Sequence, residues 1–145
     1  MHQIIYYSRL ERNPASGSTL SVMRDIVDVS QRNNARDNIS GALILDAGWF
    51  LQILEGEKDV IERTYSRIQS DPRHSQVTLM DKRQITTRYF PNWSMGGTIR
   101  SLDVQEIFLN HGIGGPVDPT SLTANTVLAL ACDLKAFEAS RKAAK

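Results

Sequence analysis

The stretch Phe50-Leu51-Gln52-Ile53-Leu54-Glu55-Gly56 suits a buried strand except at Gln52, whose carboxamide brings one acceptor and two donors that need partners. A buried amide left unsatisfied costs about 1–3 kcal/mol. Side chains alternate along a strand, so Phe50, Gln52 and Leu54 share one face. On the strand-like segment Gln3 to Ser8, the residues Ile4, Tyr6 and Ser8 likewise share a face, with Ile5 and Tyr7 opposite. If the two strands are neighbours, the Tyr6 hydroxyl meets the Gln52 amide. The plainer account of that meeting is a core pair in which each satisfies the other.

Other polar residues can converge on the same place. Asn33 and Asn34 close an amphipathic segment, where asparagines ordinarily serve as caps and turn formers. Turned toward Tyr6 and Gln52, their amides would instead form a set of neutral donors and acceptors that suits a planar heterocycle with an imide edge. Arg67, Ile68, Asp71, Arg73 and His74 cluster at the end of a second such segment. Arg67 and Asp71, four apart, can form a surface ion pair of little worth. Arg67 or Arg73 can equally hold a carbonyl or phosphate oxygen. Hydrolytic chemistry has little support: there is no glycine-rich phosphate loop, no GxSxG elbow and no spaced His/Cys set for a metal. Glu55 is a possible general base, but no partner acid or nucleophile accompanies it.

The elements that must position these residues follow from periodicity. Gln3 to Ser8 reads as a first strand. After a loop over 13–18, with Ser18 or Thr19 as cap, Leu20, Met23, Ile26, Val27 and Ser30 recur at helical spacing until Asn33-Asn34. Ile39 to Leu45 and Trp49 to Leu54 form a hairpin about Asp46-Ala47-Gly48. Glu57, Lys58 and Asp59 open a second helix, with Val60, Ile61, Thr64, Tyr65 and Ile68 in period and Pro72 as its end. Val77 to Asp81 and Trp93 to Ile99 complete a βαββαββ order. The expected fold is α+β and ferredoxin-like: a five-stranded mixed sheet, its first and third strands adjacent and parallel, with two helices on one face. Leu102 to Asn110 and Thr123 to Lys142 read as tail helices. The second is apolar nearly all round at Val127 to Cys132, so it covers the bare sheet face, makes a subunit interface, or does both.

Composition bounds the class. The chain has 145 residues, 41% hydrophobic and 23% charged, enough for one domain with a real core. A net charge of +1 gives no electrostatic case for nucleic acid or an anionic membrane. No apolar run reaches spanning length, and the single Cys132 excludes an internal disulfide. A cytoplasmic protein is expected.

Six segments together resemble the BLUF family, the blue-light sensors that bind FAD. They are Tyr6-Tyr7-Ser8, Ser30-Gln31-Arg32-Asn33-Asn34, Ile39-Ser40-Gly41-Ala42-Leu43, Phe50 to Gly56, Asp71-Pro72-Arg73-His74 and Trp93-Ser94-Met95. They occur in the family's order over about the first hundred residues. The tail is similar to that of short, stand-alone members with two C-terminal helices. The resemblance implies a flavin-binding photosensory domain over 1–100 and a helical extension over 101–145 for sheet cover, oligomerisation or output.

It also implies roles. Tyr6 and Gln52 match the photoactive tyrosine and glutamine. Asn34 matches the asparagine that hydrogen-bonds the ring's imide edge, with Asn33 beside it. Ile26 and Ile68 would sandwich the ring, with Arg67, Asp71, Arg73 and His74 along its rim. Ser8, Ser30, Trp93 and Met95 match positions that influence the glutamine. The implied cofactor is FAD, with FMN or riboflavin as substitutes, and no metal. Light would drive electron and proton transfer between Tyr6 and the flavin and rearrange the Gln52 hydrogen bonds, giving a reversible red-shifted state read by a partner protein in trans. A homo-oligomer is expected, and no enzymatic activity. Two alternatives remain at this point: a small flavin-dependent oxidoreductase, and a ferredoxin-like interaction module without cofactor.

Overall fold

The computed structural model describes residues 1–11, 19–72, 74–91 and 96–143. The strands are β1 (His2–Leu10), β2 (Ser40–Asp46), β3 (Trp49–Gly56), β4 (His74–Gln84) and β5 (Gly96–Ile99). The helices are α1 (Thr19–Arg36), α2 (Lys58–Gln69), α3 (Gln105–Asn110) and α4 (Ala124–Ala143). The sheet order is β4-β1-β3-β2-β5.

β1 and β3 are adjacent, but they run antiparallel rather than parallel. The reason lies in the hairpin. The crossover through α1 leaves β1 and β2 pointing the same way, and β3 reverses from β2 before entering between them. The strand next to β1 must therefore oppose it. The sheet is mixed because β5 adds to β2 in parallel. The hairpin turn uses Ala47 at φ 52° and Gly48 at φ 79°, the left-handed pair that a two-residue loop requires. Gly41 serves a close approach: a Cβ there would stand 1.9 Å from the Ile53 carbonyl oxygen.

α1 runs past Asn33-Asn34 to Arg36, because the asparagine backbone carbonyls accept bonds in line: Asp37 N donates to Asn33 O at 3.0 Å, and Ile39 N to Asn34 O at 2.8 Å. The left-handed stop falls on Asn38, at φ 56°. β4 is longer than the predicted Val77 to Asp81. It is an edge strand paired to β1 alone, and its mixed exposure conceals the alternation. Of the fifth strand predicted from Trp93, Gly96–Ile99 is observed, and 92–95 lie outside the described residues, as does the loop over 13–18.

Each face of the sheet has its own core. On one, Ile4, Tyr6, Leu43, Phe50 and Leu54 pack with Ile26 of α1 and Ile61 of α2. On the other, Ile5, Ile44, Leu51 and Ile53 pack with Phe90, Phe108 of α3, and Val127, Leu130 and Leu134 of α4. The tail thus covers the face that the first two helices leave bare, and the nearly all-round apolar stretch of α4 is spent inside the chain. Arg100 fastens this tail. Its guanidinium donates to Asp46 Oδ2 at 3.0 Å, to the carbonyls of Ile113 and Gly115 at 2.9 and 2.7 Å, and to Gln105 Oε1 at 2.9 Å.

Candidate functional site

Tyr6 and Gln52 are register partners in the β1–β3 ladder. Their side chains emerge on the α1/α2 face, and the Tyr6 hydroxyl donates to Gln52 Oε1. Tyr6 is 0% exposed and Gln52 2%. Burial holds the Tyr6 phenol well above its ordinary pKa of 10.0, with Tyr65 and Asp71 adding to the shift, so it stays protonated at neutral pH. Tyr65 of α2 meets the Tyr6 ring edge-on at 5.1 Å, and its own pKa is raised by burial.

A cleft between α1 and α2 opens above Gln52. Its walls include Ser30, Asn33 and Asn34 from α1, Arg67 and Ile68 from α2, Asp71 beyond it, and Gln52 at the floor, about 110 Å³ in all. Seven residues singled out in the sequence for a flavin site therefore stand around one space. Asn34 is almost wholly buried. Ile26 is buried in the core on this face and is not among the cleft's lining residues, whereas Ile68 lines the cleft and packs against the same core. Arg67 stands at the exposed rim, donating to Thr64 Oγ1 at 3.0 Å and facing Asp37 Oδ2 at 3.6 Å. The bond from Arg36 holds the Asp37 carboxyl below its usual range, against its desolvation and with Arg67 and Arg63 assisting.

Ser8 and His74 lie one step along the same face. Ser8 Oγ and His74 Nδ1 are 2.9 Å apart, and the imidazole lies tilted on Phe50 at 5.0 Å. Arg73, Trp93 and Met95 lie outside the described residues. Glu55 does not approach the cleft. It is 0% exposed on the opposite face, accepting from Gln3 Nε2, Tyr89 N and Phe90 N, so it has no access to a substrate as a general base.

The sequence reading had not singled out Tyr65, Asp37 or Thr64 for this site. Tyr65 was legible only as one member of the α2 stripe, and its ring contact with Tyr6 depends on how α2 crosses β1. Asp37 follows the helix end, where no periodicity places it.

The cleft is lined by three carboxamides, the Ser30 and Thr64 hydroxyls, the Asp71 carboxylate and the Arg67 guanidinium, with Val29, Leu54 and Ile68 as its apolar members. The carboxamides fit the imide edge of a flavin, and one carboxylate is not a metal set. Comparison with known proteins agrees. The family model described as "BLUF: Sensors of blue-light using FAD" matches residues 1–96. The photoactivated adenylate cyclase subunit beta of Euglena gracilis is 37% identical over 93 residues, which are 63% of this chain and 10% of that protein. The chain thus spans about a tenth of the length of the photoactivated adenylate cyclase beta subunits it matches. The photo-activated state of BlsA superposes with a TM-score of 0.79 at 28% identity, covering 92% of this chain and 93% of that one. BlrB, a BLUF protein in its dark state, gives 0.69 at 27%, covering 88% and 95%.

Proposed function

The chain belongs to the BLUF family of blue-light sensors using FAD, and from that premise we propose how its own residues detect light and report it. The observation that carries the proposal is the buried Tyr6–Gln52 bond at the floor of the α1/α2 cleft.

Asn33, Asn34 and Gln52 hold the polar edge of the ring, Ile26 and Ile68 its faces, and Arg67, Asp71, Arg73 and His74 its rim. FMN or riboflavin, which carry the same ring, can use the same contacts. Bound FAD supplies the absorption of blue light and, once excited, an oxidant for a neighbouring phenol. Tyr6 would give its electron to that oxidant, and its proton would follow through the bridging Gln52 amide. When electron and proton return, the Gln52 amide is left with its donor and acceptor ends exchanged. A primary amide does this in little space, because its two ends differ chiefly in hydrogen-bond sense. Ser30, Trp93 and Met95 influence that amide, and Ser8 does so only indirectly, through His74 and Phe50. The new bond that Gln52 makes is the red-shifted state, and it relaxes in darkness.

Residues 1–100 act as the sensor and 101–145 as the reporter to a partner protein in trans. Exposed Leu102 and Leu109 give a partner or a second copy an apolar hold, whereas the buried side chains of α4 do not. We read the chain as a switch and not an enzyme: Tyr6 is wholly buried, and Gln52 lies at the floor of a cleft that the flavin itself would fill. No helix among the described residues is long and apolar enough to cross a membrane, and we place the protein in the cytoplasm.

The test is spectroscopic. The protein purified in dim light should carry flavin and show a small, reversible red shift under blue light. Tyr6→Phe and Gln52→Leu should each retain flavin and lose the shift. A normal shift in either variant would refute the roles given to these two residues.

A further inference from the structure

We propose that Glu55 is the positioning residue through which a change at Gln52 reaches α4. The inference rests on the photoreceptor reading above.

Gln52 and Glu55 are on the same strand, three residues apart and on opposite faces, a separation of about 10 Å along β3. Glu55 turns into the tail-side core. Its Oε2 accepts from Gln3 Nε2 at 2.9 Å and from Tyr89 N at 3.0 Å, and its Oε1 from Phe90 N at 2.8 Å. The carboxyl oxygens accept in all three bonds, so each of these bonds must follow Glu55 if β3 shifts. Hydrogen bonds inside a core are also stiff, because water is not there to replace them.

The segment so held is bound on its other side to α4. Lys135 Nζ donates to the Tyr89 carbonyl at 2.7 Å and lies 5.8 Å from the Phe90 ring. Phe90 is wholly buried in the cluster that contains Leu130, Ala131 and Leu134. Arg88 fixes the start of the segment to the β2–β3 side, donating to Ser40 Oγ at 2.7 Å, Glu55 O at 2.9 Å and Asn38 O at 2.7 Å. The chain of contact therefore runs from Gln52 through β3 to Glu55, then through Tyr89–Phe90 to Lys135. A coupling path needs an element with two arrangements, and under this proposal the Tyr89–Phe90 segment, held by Glu55 and by α4, takes that part.

Cys132 is a native reporter of the far end. It is the chain's single cysteine, one turn before Lys135, partly buried against the same cluster. Burial raises its thiol pKa, and the charges of Lys135, Asp133 and Glu55 act on it.

The experiment measures Cys132 labelling by a thiol-specific disulfide reagent, in darkness and under blue light, on flavin-loaded protein whose spectrum is recorded in the same cuvette. In the wild type, light should change the labelling rate several-fold. In Glu55→Gln the red shift should persist while the light-to-dark rate ratio falls to one. Lys135→Met, which leaves the Glu55 bonds in place, should reduce the ratio with the red shift intact, and it decides the matter if Glu55→Gln does not fold. A wild type with no red shift defeats the photoreceptor reading itself. A normal red shift with unchanged labelling, or a wild-type ratio in a folded Glu55→Gln or Lys135→Met variant, overturns the link through Glu55.

Discussion

The same two strands carry a buried polar pair on each face of the sheet. Tyr6 faces Gln52 toward α1 and α2, and Gln3 faces Glu55 toward the tail, three registers away. Both pairs are cross-strand and fully buried, yet they differ in kind. Tyr6 and Gln52 are neutral, and the amide can present either a donor or an acceptor to the same neighbour. Glu55 accepts in every one of its side-chain bonds, from three donors on two segments of chain. A neutral amide can reverse at small cost; a carboxylate among fixed amides cannot. One face is built to switch and the other to hold, and residue type decides which.

The largest expected effect tests the holding face. Glu55→Ala strands Gln3 Nε2 and two backbone N–H groups in the core. At about 1–3 kcal/mol for each, less what relaxation recovers, it should cost roughly 3–5 kcal/mol in urea denaturation. Gln52→Leu strands one hydroxyl and should cost about 1–3 kcal/mol while abolishing the light response. Equal costs for the two would erase the distinction between the faces.

Arg100→Ala comes next. Its four bonds and its 4.5 Å approach to the Phe108 ring tie the end of β2 to the loop before α4. The side chain is 9% exposed, so screening by solvent is small. The loss should be about 2–4 kcal/mol, with hydrogen exchange quickening first at Ile113 to Val117, and flavin colour and red shift unchanged. Loss of flavin would show that the two cores are less independent than their packing indicates.

These two clusters also show where sequence reasoning reached and where it stopped. Tyr6 and Gln52 could be set opposite one another because alternation and a hairpin are local rules, and a one-residue error would have put Tyr7 there instead. The cleft's amides stood out because polar residues interrupt apolar periods. The direction of β1 against β3 was also implied by the hairpin, but the crossover rule was applied to the wrong pair of strands. Arg100 and Glu55 were beyond reach for another reason. Most of their partners are backbone amides and carbonyls 13 to 35 residues away, and no side-chain pattern encodes these. Cover of the second face by α4 was legible as one of two uses for an apolar helix; which one it served depended on packing.

A smaller effect comes from pH. The folded-state pKa of Tyr6 lies well above 10.0, while in the unfolded chain the phenol titrates near its ordinary value. The neutral phenol's contribution is therefore fully present below about pH 10. Stability should then fall by about 1.4 kcal/mol per pH unit as pH rises from there toward the folded pKa. Tyr6→Phe should remove that share of the slope in urea denaturation between pH 9.5 and about pH 11. An unchanged slope would mean that the phenol is not sealed, and the switching face would lose its main physical support.

The smallest effect separates residues that act in the switch from those that only border it. Ser8 and Phe50 are the register pair two positions from Tyr6 and Gln52 on the same face, and Ser8 Oγ holds His74 Nδ1 at 2.9 Å. Ser8→Ala removes one hydrogen bond and leaves an imidazole that still packs on Phe50. The cost should be about 1 kcal/mol. Because Ser8 does not touch the Tyr6–Gln52 bond directly, the size of the red shift should stay as in the wild type, and dark recovery should change by no more than about threefold, the equivalent of roughly 0.6 kcal/mol in the barrier. A lost or halved red shift would instead place Ser8 and His74 inside the switch, and the neutral face would then act as a network of four side chains and not as a pair.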